Sequence, residues 1–377
     1  MTLQEYLDAN DLWDVTKLGE HCTKNSVYAR SSVKYPGLTL LHYMDEASYG
    51  KSWNDFNIMC RGSIIDMRSK KVIAWPFNKF FNLGEHTSTV EEVLKKGDFV
   101  ATEKLDGSML ILFPYEGRNY FTTKGSFDSE HAEYANSIMP EVLKNLKLDE
   151  NWTFMFELIS EKFRNIINYK KRGYSDGVYL IGIRLPDFQL APSNFIRLWA
   201  ETNELHSFKT YDFKYLEKVV ETCSILPSSE EGYVLRFDNE QFLVKVKGKD
   251  YVIAHKILKG MNDSAIVESM ELDKTLEIIT YCPEEYREEV SQRFDFFSDL
   301  AKKIYDELDI AFCMAVSHAG NDRKRFAQTV NGSVKPEYKK FMFKMFDDTP
   351  EPDIYKLIYY HIRQHHIKAG IYTNEKT

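Results

Sequence analysis

The chain has 377 residues, 43% of them hydrophobic, with 25 Phe and 23 Tyr, which gives room for two domains and a sizeable core. No run approaches 18 apolar residues and the start, Met1-Thr2-Leu3-Gln4-Glu5, has no apolar stretch, so neither a membrane span nor a secretory leader is expected. A net charge of −8 excludes whole-surface attraction to nucleic acid; five scattered cysteines (Cys22, Cys60, Cys223, Cys282, Cys313) with no C-x-x-C pair suggest neither a zinc site nor a disulfide framework, and fit a reducing, cytoplasmic setting.

Along the chain, Gly50-Lys51-Ser52 resembles the end of a P-loop, but Asp45 stands where the leading glycine belongs. Residues from about 57 to 250 are rich in strand patterns. Cys60-Arg61-Gly62 precedes an apolar run, and Phe77-Asn78-Lys79-Phe80-Phe81-Asn82 holds one lysine among aromatic rings. Cations beside aromatic faces suit a purine and its phosphates, although a lysine leaving a core strand edge for water is the commoner arrangement. Lys104-Leu105-Asp106-Gly107-Ser108 follows, a K-x-D-G turn that residue usage produces by chance in roughly one chain in ten of this length. Met109–Phe113 and Tyr120–Thr123 flank Glu116-Gly117-Arg118-Asn119, which predicts a hairpin directly after the turn. Asp128–Leu148 is predicted to be helix.

Thr153–Ile159 and Val178–Leu185 are predicted strands, and Tyr233–Phe237 with Phe242–Val246 a second hairpin around Asp238-Asn239-Glu240. Period two puts Phe154 and Phe156 on one face and Glu157 on the other; it likewise separates Val244 and Val246 from Lys245 and Lys247. Two lysines on one strand face either reach water or line an anion site. Joined to the K-x-D-G turn and Glu231-Gly232, they make up what covalent nucleotidyl transfer needs. A lysine amine attacks an α-phosphate, other cations neutralise the phosphates, and carboxylates hold a metal. An ordinary lysine is roughly a thousandth neutral near pH 7.4, about 4 kcal/mol from being a ready nucleophile. Lys245, Lys247, Lys79 and Arg61, together with a divalent metal, are expected to lower the Lys104 pKa, and Asp106 to orient the amine or a metal-bound phosphate. Ser108 has no nearby histidine to make it a nucleophile.

After about Tyr251 the texture changes. Ser264–Tyr281, Pro283–Val316, Lys335–Phe346 and Asp353–Ile367 carry spaced apolar positions suited to amphipathic helices, with Pro350 and Pro352 breaking the last two apart. Between Arg323 and Lys344 lie Arg323, Lys324, Arg325, Lys335, Lys339, Lys340 and Lys344 against the single acid Glu337, interleaved with Tyr338, Phe341 and Phe343. This is either a solvated helix face or a phosphate-binding surface for structured RNA. His361, His365 and His366 have helical spacing but no carboxylate or cysteine partner, and read as a surface face. The expected layout is α+β, with antiparallel sheets and helices over 1–254 and an all-α domain over 255–377.

Taken together, these segments resemble the ATP-dependent RNA ligases of the phage RNA ligase 1 group, within the covalent nucleotidyltransferase superfamily. The stretches that carry it are Met59-Cys60-Arg61-Gly62, Asn78-Lys79-Phe80-Phe81-Asn82-Leu83, Glu103 to Ser108, Thr123-Lys124-Gly125-Ser126, Phe154-Met155-Phe156-Glu157, Glu231-Gly232-Tyr233-Val234 and Val244-Lys245-Val246-Lys247. Gly320-Asn321-Asp322-Arg323-Lys324 resembles that group's C-terminal domain. The resemblance implies a nucleotidyltransferase (ATP-grasp-like ligase) domain and three steps: a lysyl-adenylate on Lys104, AMP passed to an RNA 5′-phosphate, and a 3′-hydroxyl displacing AMP. By position it gives Arg61, Lys79 and Tyr43 as nucleotide contacts and Lys124 as a further pocket lysine. It also gives Glu157 to the ribose, Glu231 to the metal, and Lys245 and Lys247 to the α-phosphate. ATP as co-substrate, Mg²⁺ or Mn²⁺, a monomer, and RNA ends with nicked tRNA among them are further implications; the metal ligand set stays open. The rival readings are a DNA ligase or capping-type nucleotidyltransferase, which usually continue into a β-barrel rather than helices, and a non-catalytic RNA-binding module with an ATP fold.

Overall fold

The computed structural model describes residues 1–148, 152–260, 263–282 and 284–367. Pro283 and the side chain of His366, both named above, lie outside the described residues. The chain divides into two compact units, Met1–Val252 and Ile253–Thr377.

Three sheets build the first unit. Val27–Ser31, Leu38–Tyr43, Arg61–Asp66 and Lys71–Ala74 form an antiparallel meander in that order. A five-stranded sheet runs His206–Ser207, Gly177–Arg184, Thr153–Ile159, Ser108–Tyr115, Arg118–Thr123, antiparallel apart from its first pair. The other runs Thr210–Tyr211, Val100–Glu103, Gly232–Phe237, Phe242–Lys247, Phe81–Asn82, antiparallel apart from its last pair.

Side-chain alternation decides which core each strand feeds. From Ser108–Tyr115, Leu110 and Leu112 join Phe154, Phe156 and Leu180, whereas Met109, Ile111 and Phe113 join Leu40 and Ile64 of the meander. A strand buried on both faces reads as an unbroken apolar run, which is why 109–113 lacks polar alternation. In the other sheet, Tyr233, Leu235, Phe237, Val244 and Val246 pack with Val219 and Cys223 of the helix Leu216–Ile225. Lys245 pairs with Val234 and Lys247 with Gly232, so both lysines stand on the opposite face.

Local chemistry sharpens or corrects several expected elements. The hairpin after the K-x-D-G turn closes at Tyr115–Arg118, leaving Glu116-Gly117 with φ of 49° and 75°, a two-residue turn whose twist matches its strands. Asp128–Leu148 is two helices, Glu130–Ser137 and Glu141–Asn145, because the Pro140 ring cannot continue a helix. Ser264–Tyr281 also splits, into Asp263–Glu271 and Thr275–Tyr281, with Asp273 at φ 56° between them.

The described part of the second unit is helical. Val290, Phe294, Phe297, Ala301, Ile304 and Leu308 recur at steps of three and four along the 36-residue helix Glu284–Ala319, and they meet Phe326, Phe341, Ile354 and Ile358 in one core. Tyr338 and Phe341, which the sequence interleaves with lysines, are therefore core side chains, while Lys324, Arg325, Lys335, Lys340 and Lys344 are exposed. Among the described residues no helix is long and apolar enough to cross a membrane.

Candidate active site

Lys104 leaves the end of Val100–Glu103, its N–H donating to the Gly232 carbonyl at 3.0 Å. The strand headed by Glu231 thus sets where the lysine starts. Two glycines make this approach possible. A Cβ on Gly107 would sit 2.2 Å from the Leu158 carbonyl oxygen, and the Gly107 N–H donates to Glu157 Oε1 at 3.0 Å. Gly232 has φ 128°, and a Cβ there would lie 2.2 Å from the Val246 carbonyl oxygen. The glycines of the K-x-D-G and E-G motifs are therefore demanded by backbone contact.

Asp106 is buried and saturated. Its Oδ2 accepts from the Ile166 and Ile167 N–H groups at 3.0 and 3.1 Å, and Oδ1 from the Tyr251 hydroxyl at 2.7 Å and Asn165 Nδ2 at 3.3 Å. With partners on both oxygens, Asp106 clamps the turn that carries Lys104.

Buried Glu231 bridges two lysines, with Oε2 2.7 Å from Lys104 Nζ and Oε1 2.9 Å from Lys247 Nζ. Burial raises its pKa, but Lys104 and Lys247 outweigh burial and hold it below the usual glutamate value. For Lys104, burial pulls the pKa down while Glu231, then Glu157, pull it up, leaving it above that of an ordinary lysine. Here a carboxylate, not a cation, makes the direct ion pair with the amine. Lys245 is the depressed amine: burial first, then Arg61, Lys104, Lys79 and Lys247, keep it well below the lysine range. Burial pushes Glu157 up to about 7 against the pull of Lys104.

Aromatic rings support the other cations. Lys245 Nζ lies 4.3 Å and the Arg61 guanidinium 5.3 Å from the Phe80 centroid. Lys79 Nζ lies 5.7, 5.1 and 5.2 Å from the Tyr43, Trp53 and Phe81 centroids, and burial, then Arg61, lower its pKa. Lys124 follows the strand Arg118–Thr123, with its Cα 2.7 Å from where a Cβ on Gly62 would stand. A bulge at Leu41/His42 brings buried His42 opposite Arg61, and burial, then Lys124, Arg61 and Lys79, push the imidazole down to about 3.

The structure thus gathers Lys104, Glu157, Glu231, Lys245, Lys247, Arg61 and Lys79, with Tyr43 against Lys79 and Lys124 beside His42. Sequence reasoning missed Trp53, His42, Tyr169 and Tyr251. Trp53 lies in a loop 26 positions before Lys79 with no motif around it, and the two tyrosines reach the turn through long-range contact with Asp106. Among the described residues, no group of three or more His, Cys, Asp or Glu is placed to hold a metal ion.

The RNA ligase family model matches residues 59–252, just over half of the chain, and ends where the first compact unit ends. A Thermovibrio ammonificans sequence assigned as an RNA ligase is 38% identical over 115 residues, covering 29% of this chain and 30% of its own length. The RNA ligase of Rhodothermus phage RM378 is 21% identical over 347 residues, covering 72% of this chain and 78% of its own. Among solved structures, an archaeal ATP-dependent RNA ligase aligns with a TM-score of 0.47 and 11% identity over 82% of this chain and 83% of its own. The chain spans under a third of the length of the Thermovibrio relative. Of the site residues expected from the sequence, the matched segment carries all but Tyr43, from Arg61 to Lys247, and by that match the chain belongs to the RNA ligase family.

Proposed function

We propose that this protein is an ATP-dependent RNA ligase that joins an RNA 5′-phosphate to a 3′-hydroxyl through a lysyl-AMP and an RNA-adenylate. The observation that carries the reading is the Lys104–Glu231–Lys247 ion triad, set among Arg61, Lys79 and Lys245. A primary amine held beside that much positive charge faces what a triphosphate needs.

In the first step Lys104 Nζ bonds to the α-phosphorus as the bond to the bridging oxygen breaks, and pyrophosphate leaves with the electron pair. Lys245 and Lys247 take the α-phosphate charge, while Arg61, Lys79 and Lys124 attend to the rest of the nucleotide and Tyr43 lies along it. The ammonium of Lys104 must first give up its proton to water, which would become favourable if Glu231 turned from the amine toward a bound cation. Glu231 and Glu157 are a donor set suited to Mg²⁺ or Mn²⁺, which binds through one or two carboxylates together with substrate phosphates; when bound it supplies charge neutralisation at the leaving group. AMP then passes to the RNA 5′-phosphate, and the 3′-hydroxyl displaces it. The exposed cations between Arg323 and Lys344 are the surface offered to structured RNA.

The test is incubation with α-labelled ATP and Mg²⁺ or Mn²⁺. A covalent, acid-labile AMP adduct that Lys104→Ala lacks is expected, followed by sealing of 5′-phosphorylated RNA, a nicked tRNA included, in preference to DNA. Absence of any adduct from the wild-type protein returns the chain to the class of RNA binders.

A further inference from the structure

The nucleophile's turn is pinned from two directions. On one side, the segment 165–169 supplies the Asn165 amide and the Ile166 and Ile167 N–H groups, and the Tyr169 hydroxyl accepts the Asp106 N–H at 2.6 Å. Asn165 Nδ2 also donates to the Gly107 carbonyl at 2.9 Å. On the other side stands Tyr251, in the first turn of the helix Lys249–Gly260, with 1% of its surface exposed. Its hydroxyl donates to Asp106 Oδ1 at 2.7 Å, and its ring centroid lies 5.3 Å from Lys247 Nζ. Burial, then Glu231 and Asp106, raise the phenol's pKa, so it remains a donor.

We propose that Tyr251 is a positioning residue for the nucleophile: its hydroxyl, through Asp106, fixes the turn from which Lys104 projects, while its ring seats Lys247 against Glu231. One side chain thereby holds both ends of the triad to which the amine belongs. The two N–H groups on Oδ2 fix one edge of the carboxylate. On Oδ1 the Asn165 bond is long, so the tyrosine is the short partner that stops the turn from rotating. In-line attack by an amine tolerates little misplacement, of order 1 Å for a hundredfold loss.

The inference rests on the lysyl-adenylate reading, and that reading also makes it separable from general packing. Forming lysyl-AMP depends on the aim of Lys104. Sealing RNA that is already adenylated does not use the lysine as nucleophile. Tyr251→Phe keeps the ring and removes the hydroxyl, leaving Oδ1 with its long bond alone. Measured with α-labelled ATP and Mg²⁺, single-turnover adduct formation is expected to fall about tenfold, with the ATP concentration for half-maximal rate changed by less than about threefold. Sealing of pre-adenylated RNA by the same protein should fall about fivefold less than adduct formation. Tyr251→Leu, which also removes the seat of Lys247, should raise the ATP requirement as well. Should Tyr251→Phe fold poorly, Tyr169→Phe interrogates the same clamp from its other side and should show the same imbalance between the two steps. A wild-type adduct rate in Tyr251→Phe, or equal slowing of both steps in parallel with a lower unfolding midpoint, overturns the proposal. Absence of an adduct from the wild-type protein overturns the ligase reading itself, which is a different result.

Discussion

The two units use positive charge in opposite ways. In the strand-built unit, Lys104, Lys245 and Lys247 stand on or beside one sheet, partly buried, against Glu231 and the Phe80 ring. In the helical unit, the lysines and arginines between Arg323 and Lys344 are mostly exposed, and their neighbours Tyr338 and Phe341 turn inward to the core. Arg323 there pairs with Asp347 in solvent. The difference is one of dielectric: burial and then its cationic neighbours move Lys245 far below the ordinary lysine range, whereas a surface pair is worth about 0–1 kcal/mol and is screened by salt. Counting lysines does not separate chemistry from solvation, but burial does.

Substitutions can break that contrast from its strongest point outward. Lys104→Ala should abolish the AMP adduct entirely, measured by retention of label on the denatured protein. Glu231→Gln should slow adduct formation by about a hundredfold or more. It should also lower the Lys104 pKa, because the carboxylate now holds the ammonium in its charged form; pH-dependent competitive labelling of the free protein would read this as amine reactivity appearing at lower pH than in wild type, and an unchanged profile would contradict the pairing. Trp53→Ala opens one wall of the aromatic enclosure around Lys79 and should raise the ATP requirement about threefold to tenfold, seen in the concentration dependence of adduct formation. Reversing exposed charges in the helical unit, as in Lys324→Glu with Lys340→Glu, should leave adduct formation within about twofold while weakening RNA sealing and flattening its salt dependence. Equal damage to adduct formation would remove the distinction between the units.

Much of the strand-built unit was legible because alternation is a local property. The split of Lys245 and Lys247 from Val244 and Val246 follows from period two alone, and the same rule turns Glu157 away from the Phe154 and Phe156 core. Helix ends were harder. Pro140 inside Asp128–Leu148 is a visible breaker, and Thr2-x-x-Glu5 forms a full capping box on the first helix. Within the site, residue identities were readable but their pairings were not. The Lys104–Glu231 bond joins positions 127 apart, and the partners of Asp106 are backbone groups and tyrosine hydroxyls from two distant segments. Nothing in a linear string ranks a carboxylate against four cations by distance, which is why the direct pairing of Lys104 with Glu231 was not legible.

The bond between Glu231 and Lys104 has a consequence for the protein between turnovers. An amine locked as its ammonium is inert toward cyanate, acyl phosphates and other stray electrophiles that carbamylate or acylate free lysines. The amine proposed as the nucleophile is thereby kept dormant, and it awakens only when something else claims its carboxylate partner.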